Sequence, residues 1–256
     1  MDNRWQENGR YFLKSRWPEL ANMETGRKKK APLPEMQKPP RADRLIPLPA
    51  VEEVAESFGR DVSLTEAIRR RESTRTFGPD PLTVPELAYL LWAAQGVRIQ
   101  KPRVTFRTVP SGGARHPFET YLFIQRVEGL EPGLYRYLPL DHNLDFIRSE
   151  NENRLTALLD EALLQHNFGA AATFVWTAVP ERSEYAYASE AARLILLDAG
   201  HVCQNLYLAC TAVGCGTCAV GAYDQEKTDA LLGVDGADEF TVYVAPVGKI
   251  DRAKGA

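Results

Sequence analysis

The chain has 256 residues, a hydrophobic fraction of 44%, a charged fraction of 25% and a formal net charge of −3 at pH 7. That length suits one large domain, or one domain with an extension, and is enough to bury a substantial core. The near-neutral balance gives no reason to expect nucleic acid or an anionic membrane as partner, and the longest apolar stretch, Ala191–Val213, carries Arg193, Asp198, His201, Gln204 and Asn205, too many polar groups for a membrane span.

The start, Met1-Asp2-Asn3-Arg4-Trp5, is polar and lacks the look of a secretory signal, so a cytoplasmic location is expected. Residues 1–50 read as a proline-rich arm. Lys28-Lys29-Lys30 is followed by Pro32, Pro34, Pro39, Pro40, Pro47 and Pro49, a density that disfavours helix and sheet. Trp5, Tyr11, Phe12, Leu13 and Trp17 need cover, so the arm is expected to hold a short helix and then an extended segment laid on the main domain or on a partner subunit.

The main domain, residues 51–256, opens with a helix over Leu64–Glu72, capped by Ser63 with Glu66 three positions on. Pro85-Glu86 starts a second helix with Leu87, Leu90, Leu91 and Ala94 on one face and Gly96 as stop. Thr120–Val127 reads as a strand and Gly133–Tyr137 as its hairpin partner. A helix follows over Leu155–Leu164, then a buried strand over Ala171–Val179. Glu190–Val213 is the longest helix, stopped by Gly214, and Phe240–Pro246 is the last strand. Helices and strands mix without regular alternation, so the fold class expected is α+β. All four cysteines fall within Cys203–Cys218, where they cannot staple distant segments and read as free thiols.

Four segments carry possible chemistry. Arg71-Glu72-Ser73-Thr74-Arg75-Thr76-Phe77 sets two guanidinium groups and a hydroxyl within five residues, a set that can fork onto phosphate oxygens; alone it reads equally as a solvated basic turn. Pro110-Ser111-Gly112-Gly113-Ala114-Arg115-His116-Pro117 has two glycines that let backbone N–H groups approach a ligand, and alone reads as a tight turn. Gly214–Gly221 lacks the spacing of a dinucleotide fingerprint, and its Cys215-Gly216-Thr217-Cys218 pair lacks the further ligands of a zinc site. Ala245-Pro246-Val247-Gly248-Lys249 ends a strand on one isolated cation. His201 reads as a core histidine of the long helix.

In order and spacing these segments, with Asp198-Ala199-Gly200-His201-Val202-Cys203-Gln204-Asn205-Leu206, resemble the nitroreductase family of FMN flavoproteins. Within it they are most similar to the SagB/ThcOx-type dehydrogenase branch, which includes azoline oxidases of peptide natural-product pathways. The resemblance covers residues 51–256, and residues 4–13 with the arm look like the extension of standalone members. It implies a central sheet flanked by helices, an intertwined homodimer and FMN at the subunit interface. By motif, Arg71, Ser73 and Arg75 would hold the FMN phosphate and ribityl chain, Glu72 would contribute backbone, and Lys249 would complete the phosphate site. Pro110, Ser111, Gly112 and Gly113 would line the isoalloxazine from the other subunit, and Val220 and Gly221 would offer backbone N–H groups near N5 and O4.

The implied activity is hydride transfer through the flavin between NAD(P)H or a small organic donor and an acceptor. Azoline oxidases pair a Lys-Tyr base near the flavin and this chain has no such dipeptide; Tyr185 and Tyr187 stand as substrate-side candidates. Two other readings are an FMN-binding scaffold without turnover, and thiol-redox or metal chemistry at Cys215 and Cys218.

Overall fold

The computed structural model describes residues 3–58 and 62–251. The arm holds three helices, α1 (Asn3–Leu13), α2 (Trp17–Leu20) and α3 (Gly26–Lys29), then an extended run into a short strand β1 (Leu45–Pro47). Helix α4 (Val51–Phe58) leads to α5 (Leu64–Arg70), where Ser63 Oγ accepts the Glu66 N–H at 3.2 Å. α5 ends two residues earlier than its sequence suggests, because Arg71 turns to an extended conformation (φ −55°, ψ 120°). Helix α6 (Val84–Gln95) starts on a full capping box, with Thr83 and Glu86 bonding each other's backbone N–H. A small separate hairpin, β2 (Val97–Lys101) and β3 (Val104–Arg107), follows.

The remaining elements are β4 (Phe118–Ile124), β5 (Gly133–Leu138), β6 (Asn143–Ser149), α7 (Glu152–Ala162), β7 (Ala172–Ala178), α8 (Glu181–Tyr187), α9 (Ala191–Ala212), β8 (Cys215–Thr217), α10 (Gln225–Leu232) and β9 (Phe240–Lys249). Seven strands form one antiparallel sheet in the order β1-β6-β5-β4-β7-β9-β8. The fold is therefore α+β, a mixed helical protein around an antiparallel sheet.

Alternation along the strands divides the core in two. Leu122, Ile124, Phe174, Trp176, Ala245 and Val247 face α6 and α9. Tyr121, Phe123, Val175 and Val244 face the opposite way, onto Leu155, Leu159, Leu163 and Leu232 of the α7–α10 side. β4 and β7 are buried along their whole length, which explains their unbroken apolar runs.

The arm is fastened to this sheet by buried charge. Arg136 and Asp145 are fully buried, and Glu119, Arg182 and Arg107 nearly so. Asp145 accepts the N–H groups of Arg41 at 2.7 Å and Ala42 at 3.0 Å, and pairs with Arg136 at 3.1 Å. Glu119 accepts the Lys38 N–H at 3.0 Å and pairs with Arg182. The arginines turn outward to arm carbonyls: Arg182 to Glu35 at 2.8 Å, Arg107 to Met36 at 3.1 Å and Arg136 to Pro39. Proline supplies a carbonyl but no N–H. A proline-rich strap therefore presents surplus acceptors, and guanidinium donors meet them. Pro47 closes β1 at the sheet edge, where a missing donor is tolerated. No helix among the described residues is long and apolar enough to cross a membrane.

Candidate functional site

The Arg71–Phe77 run lies along β8 and the end of β9. Thr74 donates its N–H to the Thr217 carbonyl at 2.9 Å, Ser73 bridges Thr217 in parallel, Phe77 bridges Ile250, and Gly78 donates to the Lys249 carbonyl at 2.8 Å. Two glycines allow the run to lie this close. A Cβ on Gly216 would fall 2.5 Å from Thr74 Oγ1, and one on Gly248 would fall 2.7 Å from Phe77. The cleft beside this seam has a volume of about 270 Å³ and is lined by Arg70, Glu72, Thr74, Tyr207 and Gly214–Thr217.

Tyr207 of α9 organises the seam. Its hydroxyl accepts the Ala219 N–H at 2.7 Å and shares a hydrogen bond with Ser73 Oγ at 3.0 Å. The Arg71 guanidinium sits 5.3 Å over its ring, a cation–π contact. Arg75 is exposed, and neither Arg71 nor Arg75 pairs with a carboxylate among the described residues. Sequence reasoning missed Tyr207 because a tyrosine on an apolar helix face carries the signal of a core aromatic.

Lys249 arrives at the same end, paired with Cys215 in the β8–β9 register and bonded through its carbonyl to the Gly78 N–H that follows the arginine run. It is not a free cation. Its Nζ bonds Glu86 Oε1, while Glu86 Oε2 accepts the Thr83 N–H at 2.9 Å in the capping box. A capping glutamate thus doubles as the lysine's counter-ion, which no local sequence signal reveals. Burial, opposed in part by Lys249, pushes the Cys215 thiol up to about 12, and burial raises Cys203 to about 12 as well. All four cysteines are buried free thiols, and such protonated thiols are poor nucleophiles. Among the described residues no group of His, Cys, Asp and Glu has a metal-binding arrangement.

The Pro110–Gly113 loop lies elsewhere. Ser111 Oγ donates to Asp198 Oδ2 at 2.6 Å, and the Gly112 N–H points at the same carboxylate at 3.2 Å. Burial raises the Asp198 pKa, with the Ser111 and Gly112 hydrogen bonds opposing. Asp198 and Tyr207 are nine residues apart on α9, about 13–14 Å along a helix rising 1.5 Å per residue. One chain therefore does not bring this loop to the arginine cleft.

One expectation needs correction. The Val220 N–H is donated to the Val244 carbonyl at 2.8 Å, within a two-way bridge to β9, so it is not available to a ligand. Gly221 beside it is exposed, with open space where a Cβ would be. The Tyr185 hydroxyl donates to the Ala31 carbonyl at 3.2 Å under the arm. Tyr187 packs edge-on against Trp17, with ring centroids 5.6 Å apart.

The seam beside the cleft fits a phosphate-bearing flavin. Two guanidinium groups without a carboxylate partner among the described residues, the Ser73 hydroxyl and a lysine shared with Glu86 lie along it, beside the exposed Glu72, and the glycine at 216 lets Thr74 lie against β8.

Residues 68–249 match the profile of the nitroreductase family. A nitroreductase-family protein of Methanocaldococcus jannaschii is 34% identical over 206 residues, covering 80% of this chain and 96% of its own. The trifolitoxin-processing protein TfxB of Rhizobium leguminosarum bv. trifolii is 30% identical over 135 residues, and the match spans 50% of this chain and 36% of that relative. Among solved structures, a nitroreductase-family protein from Ralstonia eutropha superposes with a TM-score of 0.64 at 24% identity, covering 86% of this chain and 97% of the other.

Proposed function

Because the chain belongs to the nitroreductase family, we propose that it is an FMN-dependent oxidoreductase whose cofactor phosphate rests on Arg71, Ser73 and Arg75. One observation carries this reading. Arg71 and Arg75 stand on either side of Thr74 in the chain, Thr74 pairs through its main chain with Thr217 and lines the cleft, and neither arginine has a carboxylate partner among the described residues. Guanidinium forks suit phosphate oxygens, and charge-assisted bonds of this kind are the strong ones. When bound, FMN supplies hydride transfer between an NAD(P)H or small organic donor and an acceptor.

The chain's own residues then bind and orient. Arg71 and Arg75 take the phosphate charge, and Tyr207 fixes the height of Ser73 and Arg71 above the β8 loop. Glu72 contributes backbone, its side chain lying exposed. Lys249 adds a cation whose strength is shared with Glu86. Gly221 is the remaining candidate N–H donor at the ring end. Pro110, Ser111, Gly112 and Gly113 serve a second copy of the chain, because their own cleft is about 13–14 Å away along α9; this makes the working unit a homodimer. Asp198 holds that loop through Ser111 and Gly112. Residues 1–50 act as an extension of the 51–256 domain.

The test is the flavin content of Arg75→Ala. Losing one charged hydrogen-bond partner costs about 1.5–3 kcal/mol, on the order of tenfold to a hundredfold in affinity. The variant should purify with little FMN, and full occupancy would sink the assignment.

The similarity to a trifolitoxin-processing protein favours a second reading of the substrate, a peptide oxidised on the same flavin as in the SagB-type branch. Bleaching of the bound flavin by NADH or NADPH, with recovery in air, supports the dinucleotide donor. A yellow protein bleached by neither, but by an azoline peptide, supports the peptide reading. A flavin that no donor bleaches would make the chain a scaffold subunit.

A further inference from the structure

Beside helix α3 of the arm lies a second cavity, of about 350 Å³, between the arm, the β2–β3 hairpin and α8. That volume is in the range of small-molecule sites, roughly 300–1,000 Å³. Three arginines from three separate elements line it: Arg27 of α3, Arg103 of the hairpin turn and Arg115 of the loop after Gly113. No carboxylate among the described residues pairs with any of them. Arg115 uses only its Nε, donating to the Gly113 carbonyl at 3.1 Å. The adjoining small pocket brings Glu35 and Arg182 near, but Arg182 is already held by Glu119 and the Glu35 carbonyl.

The rest of the lining is apolar or aromatic. Leu33 and Val104 contribute aliphatic surface, and the rings of Tyr185 and Tyr187 form one wall. Those rings are fixed from behind. The position a Cβ would take on Gly26 is 2.7 Å from the Tyr185 ring, and one on Gly113 would meet the Tyr187 hydroxyl at 2.2 Å. Gly113 also holds φ +58°, a left-handed conformation suited to glycine.

Arg27 and Arg103 are exposed and Arg115 half-buried, and like charges set around one pocket repel unless an anion joins them, whereas Lys38, Arg136 and Arg182 have carboxylate partners. We infer that this cavity binds a small organic anion, a carboxylate carried on an apolar or aromatic body, with Arg27, Arg103 and Arg115 on the charge and the tyrosine wall on the body. Because the cavity reaches Gly113, which the FMN reading assigns to the flavin face of a partner copy, the site would anchor the anionic end of the substrate; that placement rests on the FMN reading, while the anion binding does not.

The experiment is calorimetric titration of the full-length, FMN-saturated protein with sodium benzoate, its neutral counterpart benzamide, and inorganic phosphate. Benzoate should bind about tenfold or more tightly than either, and its affinity should fall as sodium chloride is raised. The double substitution Arg103→Gln/Arg115→Gln should erase the preference. Equal binding of benzoate and benzamide, tighter binding of phosphate, or an unchanged preference in the double variant overturns the inference. The same titration of flavin-poor Arg75→Ala separates the two readings. Benzoate binding retained there supports the cavity independently of FMN, and benzoate binding lost with the flavin overturns it. A wild-type protein that takes up benzoate but no FMN would sink the functional reading alone.

Discussion

Under the arm, Arg107, Arg136 and Arg182 are buried and each finds a carboxylate, an amide oxygen or a main-chain carbonyl. At the Arg71–Lys249 end Arg71 is half-buried over the Tyr207 ring and Arg75 is exposed, neither with a carboxylate of its own among the described residues. The same residue type is doing two different things. A buried guanidinium held by acceptors of the chain is part of the fold, and removing one partner strands a charge away from water. A guanidinium left without an acceptor in an accessible cleft costs the fold little and is available to a ligand. Partner count, more than residue identity, separates the two roles.

The contrast can be broken most forcefully at Asp145. Asp145→Ala removes the acceptor of two arm N–H groups and leaves buried Arg136 with only the more distant Glu119 carboxylate, at 3.9 Å. It should cost about 3–5 kcal/mol in urea unfolding, and a loss below about 1 kcal/mol would refute the idea that the arm is anchored by charge. At the other end, Arg75→Ala should leave the unfolding midpoint unchanged while lowering FMN affinity by about 1.5–3 kcal/mol. A variant that lost stability instead would erase the distinction between the two regions.

Tyr207→Phe lies between these extremes. It orphans the Ala219 N–H and frees Ser73, which should cost about 1–2 kcal/mol of stability together with a severalfold weaker flavin affinity. Unaltered affinity would show that the seam does not need this hydroxyl.

His116 sharpens the comparison through pH. Burial, and then the Arg107 charge, hold its pKa down to about 3, against about 6.5 in an unfolded chain. Between those values the unfolded state takes up a proton that the native state does not. Stability should therefore fall as pH drops from about 6.5 toward 3, by up to about 1.4 kcal/mol per pH unit, with no contribution above 6.5. His116 also sits at φ +45°, so His116→Asn suits the backbone and should flatten this part of the stability profile; a slope that persists would assign it to carboxylates of the network. The smallest effect is expected at the thiols. With Cys215 pushed to about 12 by burial, replacing Cys215 and Cys218 by Ser should leave FMN content and flavin reduction intact, and lost reduction with FMN retained would revive thiol chemistry.

The sequence made local signals legible and long-range ones invisible. The Thr83–Glu86 start of α6, the Ser63 cap, the β4–β5 hairpin and the α9 stop at Gly214 all depend on neighbours within a few residues. β1, β6 and β8 were not legible, because NLDFIRS and CGT carry little strand propensity and are strands only through their pairing partners. The Arg71–Phe77 run was visible as a motif, but its extended path depends on two glycines at 216 and 248 that let it lie flat on β8 and β9. Lys249 looked isolated because its carboxylate lies 163 residues away in sequence.

The strap also sets an order of events during synthesis. Lys38 leaves the ribosome long before its ion-pair partner Glu239, which lies 201 residues later. At roughly 5–20 residues per second, that delay is on the order of ten to forty seconds. Throughout it, the arm waits without its buried partners while the sheet that will receive it is still being made. A segment translated early is thus among the last that can dock completely, and any chaperone that binds the arm early competes with the final step of assembly.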